Sequence, residues 1–190
     1  MSWTTLIQNK IEGTYKATDN LMSLVDDDML DWKPSPDNNW MTTAQLLMHI
    51  CISCGEPIYY IVTGEWELPE GTDLSDLTPE QMGLPEGTDL SEMKPELGGP
   101  PAEQMPAVES VAQAKQYLAE DKITALEMLA KCTEEELATK PAPMPGDPSQ
   151  TILGQRLLDM VLHLGHHKAQ LFYYLKLQGK PVNTGHLLGM

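Results

Sequence analysis

Two histidines four residues apart, His163 and His167, carry the clearest chemistry in this chain. On a helix of 3.6 residues per turn that spacing stacks their rings about one turn apart on a single face, so two neutral imidazoles can grip one divalent cation. The surrounding residues argue for such a helix: Leu157, Met160, Leu164, His167, Leu171 and Tyr174 recur at intervals of three and four and form one inward stripe. His166 points about 60° away from the pair and is set aside. A chelating pair still needs a third protein ligand, and His49 is the candidate, because it lies in a second apolar helical stretch, Ala44-Gln-Leu-Leu-Met-His-Ile50. The competing reading is structural: buried histidines often satisfy only a backbone carbonyl.

Other reactive groups are weaker candidates. Cys51-Ile-Ser-Cys54 has Cys-x-x-Cys spacing, but it falls inside a predicted helix rather than after a strand, and on a helical wheel neither thiol shares the face of His49. Both read as small core residues. Asp159, one turn before His163, and Gln170 are candidate hydrogen-bond partners for the histidine rings. No general base stands out.

These side chains must be positioned by helices, and the sequence marks four. Apolar residues Leu6, Ile7, Ile11, Leu21, Met22 and Val25 predict a first helix from Trp3 to about Val25. Trp32-Lys-Pro-Ser-Pro36 cannot continue a helix, because both prolines lack an amide donor. Thr42-Thr-Ala-Gln45 fits a capping box opening a second helix that runs to about Val62, with a kink or an early break expected near Glu56 because of Pro57. Ser110-Val-Ala-Gln113 is another such box; it opens a third helix to about Cys132, with Val111, Ala114, Leu118, Ile123, Leu126 and Leu129 as its buried positions. Thr133-Glu-Glu-Glu136 begins a short extra turn. The fourth helix is expected from about Gln150 to Gln178, stopping at Gly179 with Pro181 beyond.

The segment 64–109, between the second and third helices, departs from this pattern. It holds seven prolines, six glycines and twelve acidic residues against one lysine, with too little apolar material for a core. Leu68-Pro-Glu-Gly-Thr-Asp-Leu-Ser75 recurs as Leu84–Ser91, and two copies are too few for a solenoid. It reads as an acidic loop or lid, with partner recognition as the alternative. The whole predicts one all-α domain over residues 1–190, a four-helix bundle with a long acidic insertion. Because so long a connection can run back along the bundle, an up-down-down-up arrangement is open to it.

Composition narrows the function. With 28 acidic and 12 basic residues the net charge is −16, which repels nucleic-acid phosphates and anionic membranes, so neither is expected as a partner. No basic leader and no run of about 18 apolar residues occurs, and three cysteines suit a reducing compartment, so a cytoplasmic protein is expected.

The order of features resembles the DinB and YfiT superfamily of metal-binding four-helix bundles. The likeness covers most of the chain and rests on Trp32-Lys-Pro34, on Trp40 followed by His49, and on His163-x-x-His166-His167-x-x-Gln170 followed by Tyr174-Leu-Lys-Leu-Gln-Gly179. Lys168-Ala169 departs from the Arg-Gly of many members, and the acidic repeat is longer than is typical. The resemblance implies His49, His163 and His167 as ligands of a divalent ion, zinc or nickel first and iron next. It further implies a metal-dependent thiol S-transferase or hydrolase, with a small thiol and an electrophilic acceptor as partners; a homodimer is left open as an assembly. The alternative is a non-catalytic, stress-related binding or scaffold protein whose metal is structural or incidental.

Overall fold

Unpaired amides at helix starts need acceptors, and in this acidic chain distant carboxylates supply several of them. The structure, a computed structural model, describes residues 2–37, 39–65, 102, 105–142 and 151–190. It contains helices α1 (Trp3–Met22), α2 (Thr43–Cys51), α3 (Gly55–Thr63), α4 (Val111–Ala130), α5 (Glu134–Thr139), α6 (Leu153–Leu177) and α7 (Thr184–Leu188). Glu134 of α5 accepts the Trp3 and Thr4 amides of α1, both at 2.9 Å, and Asp27 accepts the Val111 amide of α4 at 2.7 Å. The Thr4 side chain, then the Thr4 and Trp3 amides, hold the Glu134 carboxyl below the usual glutamate range. Negative charge at a helix N-terminus also complements the helix dipole. Local caps complete the set: Thr42 and Gln45 form the full capping box at α2, as Thr133 and Glu136 do at α5. At α4 only half of the expected box forms. Ser110 accepts the Gln113 amide, but the Gln113 side chain turns to the Glu109 amide instead.

The long helices surround one apolar core and lie in a ring, with α1 packed on α4 and α6, and α2 and α3 packed on the same two. Pairs across each seam give the directions. Lys115 reaches Asp19 and Lys122 reaches Glu12, so α1 and α4 are antiparallel; Trp3 lies by Gly154 and Asp26 by Lys180, so α1 and α6 are parallel. Cys51 meets Ala114 and Gly55 meets Asp121, so α4 runs with α2 and α3, whereas His49 by His167 and Thr43 by Gln178 set α6 against α2. Among the described residues there is no strand; one isolated antiparallel bridge joins Pro141 to Ile152.

Three expectations need correction. The second predicted helix breaks at Ile52–Cys54, before Pro57 rather than at it, and Pro57 sits in the first turn of α3 where a missing amide costs least. Ile123 is 55% exposed, because the buried stripe of α4 runs Ala114, Leu118, Asp121, Ala125 and Met128, with an aspartate in an apolar register. The fourth helix begins at Leu153, and the chain closes with a further short helix, α7, which no periodicity announces. Thr43–Thr63 is apolar and long enough to cross a membrane, but it is split by the same break and packs within the bundle.

The acidic repeat and the proline-rich stretch 143–150 lie outside the described residues. What is described beside the insertion meets the start of α2: Gln45 donates its side-chain amide to the Ala102 and Met105 carbonyls at 2.7 and 3.1 Å, and the Val108 amide bonds Ala44. The Trp32 carbonyl takes the Thr43 amide at 2.8 Å, its ring stacks edge-on with Tyr174, and the Tyr174 hydroxyl donates to the Met41 carbonyl at 3.0 Å. The loop before α2 is thus tied to α6, which fixes the register in which the two helices meet.

Glycines test this packing. A Cβ on Gly154 would lie 2.7 Å from the Leu137 carbonyl and from the Trp3 ring, whereas one on exposed Gly13 meets nothing within 4 Å. We expect Gly154→Ala to destabilise by about 1–3 kcal/mol through overpacking and Gly13→Ala to stabilise by roughly 0.5–1 kcal/mol, read as opposite shifts of the thermal midpoint. Equal effects would contradict the close approach of α1, α5 and α6.

Candidate metal centre

The imidazoles of His49, His163 and His167 converge where α2 crosses α6. The Nε2 atom of His167 lies 3.0 Å from that of His49 and 2.8 Å from that of His163. The three ligand atoms all fall within 4.8 Å of one another, and this is the one such cluster among the described residues. All three rings are half-buried. The helices deliver them for a plain reason: Leu46, Leu47 and Ile50 of α2 and Leu157, Leu164 and Leu171 of α6 are fully buried, and these apolar neighbours carry the histidines inward.

Hydrogen bonds decide which nitrogen each ring presents. The Ser53 carbonyl can only accept, so His163 donates Nδ1–H to it at 3.1 Å and keeps its Nε2 lone pair free. His167 donates Nδ1–H to the Gln170 side-chain oxygen at 2.8 Å, with the same result. Two Nε2 lone pairs therefore face each other across 2.8 Å, a repulsive arrangement that a metal cation between them relieves. His49 Nδ1 is buried with no hydrogen-bond partner among the described residues. This donor set fits a divalent ion. Tetrahedral zinc with bonds of about 2.0–2.1 Å needs nitrogens about 3.3 Å apart, so His167 needs to draw away from His49 and from His163 by only a few tenths of an ångström.

Electrostatics agree with that use. Burial lowers the pKa of His49 and of His163, and it pulls His167 down to about 4, with the neighbouring imidazoles adding to the effect on His49 and His167. Near pH 7 the rings are neutral, which is the state a metal requires.

Several other residues that spacing singles out fall elsewhere. Asp159 accepts from Gln155 at 2.8 Å and orients neither ring; the Ser53 carbonyl takes the place expected for it beside His163. Gln170 does bond His167. Cys51 and Cys54 are buried, Cys51 donating to the Ala114 carbonyl, and burial pushes both thiols up to about 12, so neither is a thiolate near neutrality. Lys168 caps the C-terminal end of α7 through the Leu187 carbonyl at 2.7 Å. Two buried polar residues escape sequence reasoning: Ser53, since a backbone carbonyl has no signature, and Asp121. The spacing of Asp121 from Ala114, Leu118 and Ala125 is the available signal.

The profile of the DinB superfamily matches residues 10–171, a span that contains all three histidines. No curated protein and no solved structure matches the chain.

The lowered histidine pKa values have a consequence for stability. Between about pH 6.5 and about pH 4 the unfolded chain binds protons that the folded cluster refuses, so the metal-free fold loses stability as pH falls through that window and regains it as pH rises. Urea unfolding across the window should show this slope, and His167→Gln should flatten it. An unchanged slope in the variant would mean that the rings titrate as solvated histidines.

Proposed function

The chain belongs to the DinB superfamily, and we propose that it is a metal-dependent enzyme of the thiol S-transferase or hydrolase type, with His49, His163 and His167 holding one divalent ion. The observation that carries this reading is the convergence of three neutral Nε2 atoms in rings that stay half-buried rather than sealed. Three neutral donors leave the double charge of the cation uncompensated and a coordination position open, as in catalytic rather than closed structural sites.

The bound ion would supply Lewis acidity, lowering the pKa of a thiol or water that reaches it. The chain's own residues do the rest. Ser53 and Gln170 hold two rings in the ligating tautomer, and the leucines of α2 and α6 lower the local polarity, which strengthens the electrostatics of the site. In the transfer reaction the thiol sulfur forms a bond to an electrophilic carbon, the thiol proton passes to solvent or to the leaving oxygen, and the carbon–oxygen bond of an epoxide breaks. In the hydrolytic version water replaces the thiol. Zinc and nickel suit an imidazole set, with iron next. Buried free thiols are compatible with a reducing, cytoplasmic setting.

The alternative, a non-catalytic binding or scaffold protein with a structural or incidental metal, would hold the same ion and leave its open position unused.

Cobalt distinguishes the two. In the cobalt-loaded protein at least one small cellular thiol should shift the visible spectrum, and with an epoxide or haloaromatic acceptor the wild type should consume acceptor faster than His167→Ala. The rate should rise with pH until the thiol is ionised and then level off. A spectrum unmoved by every thiol, with no acceptor or ester consumed above background, supports the scaffold.

A further inference from the structure

The break between α2 and α3 leaves the Ser53 carbonyl without a donor from its own stretch of helix. Helix α3 begins at Gly55, and its first turn should present several amides without partners. Asp121, in the apolar stripe of α4 and only 7% exposed, accepts the Gly55 amide through Oδ2 and the Glu56 amide through Oδ1, both at 2.9 Å. The next residue is Pro57, which has no amide at all. Ile58 then bonds the Cys54 carbonyl at 3.0 Å and the helix is under way. No donor in the first turn of α3 is left to claim the Ser53 carbonyl.

In an uninterrupted helix that carbonyl would accept from the amide of residue 57. Here it accepts from His163 Nδ1 at 3.1 Å. Ser53 itself is buried and pinned, its hydroxyl donating to the Ile50 carbonyl at 3.0 Å. The capping carboxylate is pinned too. Tyr15 of α1 donates its hydroxyl to Asp121 Oδ2 at 2.6 Å, and Gly55 allows the approach, since a Cβ there would lie 2.0 Å from the Asp121 carbonyl.

We propose that Asp121 and Pro57 are positioning residues for His163: by satisfying or omitting every amide at the start of α3, they leave the Ser53 carbonyl to fix His163 as the Nδ1–H tautomer, with Nε2 facing His167. This rests on the metal-centre reading for its purpose but not for its test. Asp121 touches no ligand; it acts through the backbone of α3, and Pro57 acts by withholding a donor. The carbonyl plays the part that an outer-shell partner plays for a ligating histidine elsewhere, setting the tautomer and ring orientation.

The tautomer of His163 is read directly from long-range nitrogen–proton NMR correlations of the metal-free protein near pH 7.5. The wild type should show the Nδ1–H form alone. Pro57→Ala returns a third amide within one helical turn of Ser53, and Asp121→Asn removes one acceptor from α3; each should shift His163 toward a mixture of tautomers and weaken cobalt binding by about 10–100-fold. Gly154→Ala, which lowers stability far from the break, should leave both readouts unchanged. If Asp121→Asn does not fold, Pro57→Ala decides alone. A wild-type His163 that is mainly Nε2–H, or a pure Nδ1–H form with unaltered cobalt affinity in Pro57→Ala, overturns the proposal. Should the wild type bind no cobalt, the proposed function fails, while the tautomer comparison still decides the roles of Asp121 and Pro57.

Discussion

The antiparallel packing of α2 against α6 is the constraint on which the rest depends. Leu46, Leu47 and Ile50 on one side and Leu164 and Leu171 on the other are fully buried, in the register that sets Thr43 by Gln178 and His49 by His167. The burial of these side chains from both helices sets that register. Each such side chain contributes about 1.5–3 kcal/mol on leaving water, far more than an imidazole contact could. His49 and the pair His163 and His167 are carried together by that apolar seam. Trp32, Met41 and Tyr174 lock its far end, so the histidines meet without having to draw the helices together themselves.

Placing polar rings in such a seam has a cost, and the structure offsets it unevenly. His163 and His167 each find an oxygen for Nδ1, while His49 Nδ1 finds none among the described residues and two Nε2 lone pairs confront each other. A core arranged only for stability would fill these positions with leucine. A related use of polar groups appears at helix starts, where Glu134, Asp27 and Asp121 reach across to amides of α1, α4 and α3. An excess of carboxylates that would otherwise only repel one another is here partly used to join elements.

How far the sequence can be read follows from what periodicity and spacing encode. The all-α class and the convergence of the three histidines are legible, because apolar residues at intervals of three and four place His49 and His167 on inward faces. The break at Ile52–Cys54 is displaced from the expected site. Proline is the breaker that sequence suggests, whereas the carboxylate of Asp121 captures the amides just before it. Asp121 escapes notice because a charged residue in an apolar register reads as surface. Ile123 is misplaced by the same choice of face. Spacing offers Asp159 as the partner of His163, a side chain one turn away, while the actual partner is a carbonyl 110 residues distant in sequence, which no local pattern records.

The central claim is that three histidines of this bundle form one metal site held by a fold that does not need the metal. Metal content and helicity, measured on protein purified without a nickel column, stripped with a chelator and reloaded with zinc, test it most directly. One ion per chain in the wild type, none held stoichiometrically by His49→Ala, and the same helical circular dichroism in both would bear it out. Stoichiometric metal retained by His49→Ala, or a wild type that binds none, would contradict it.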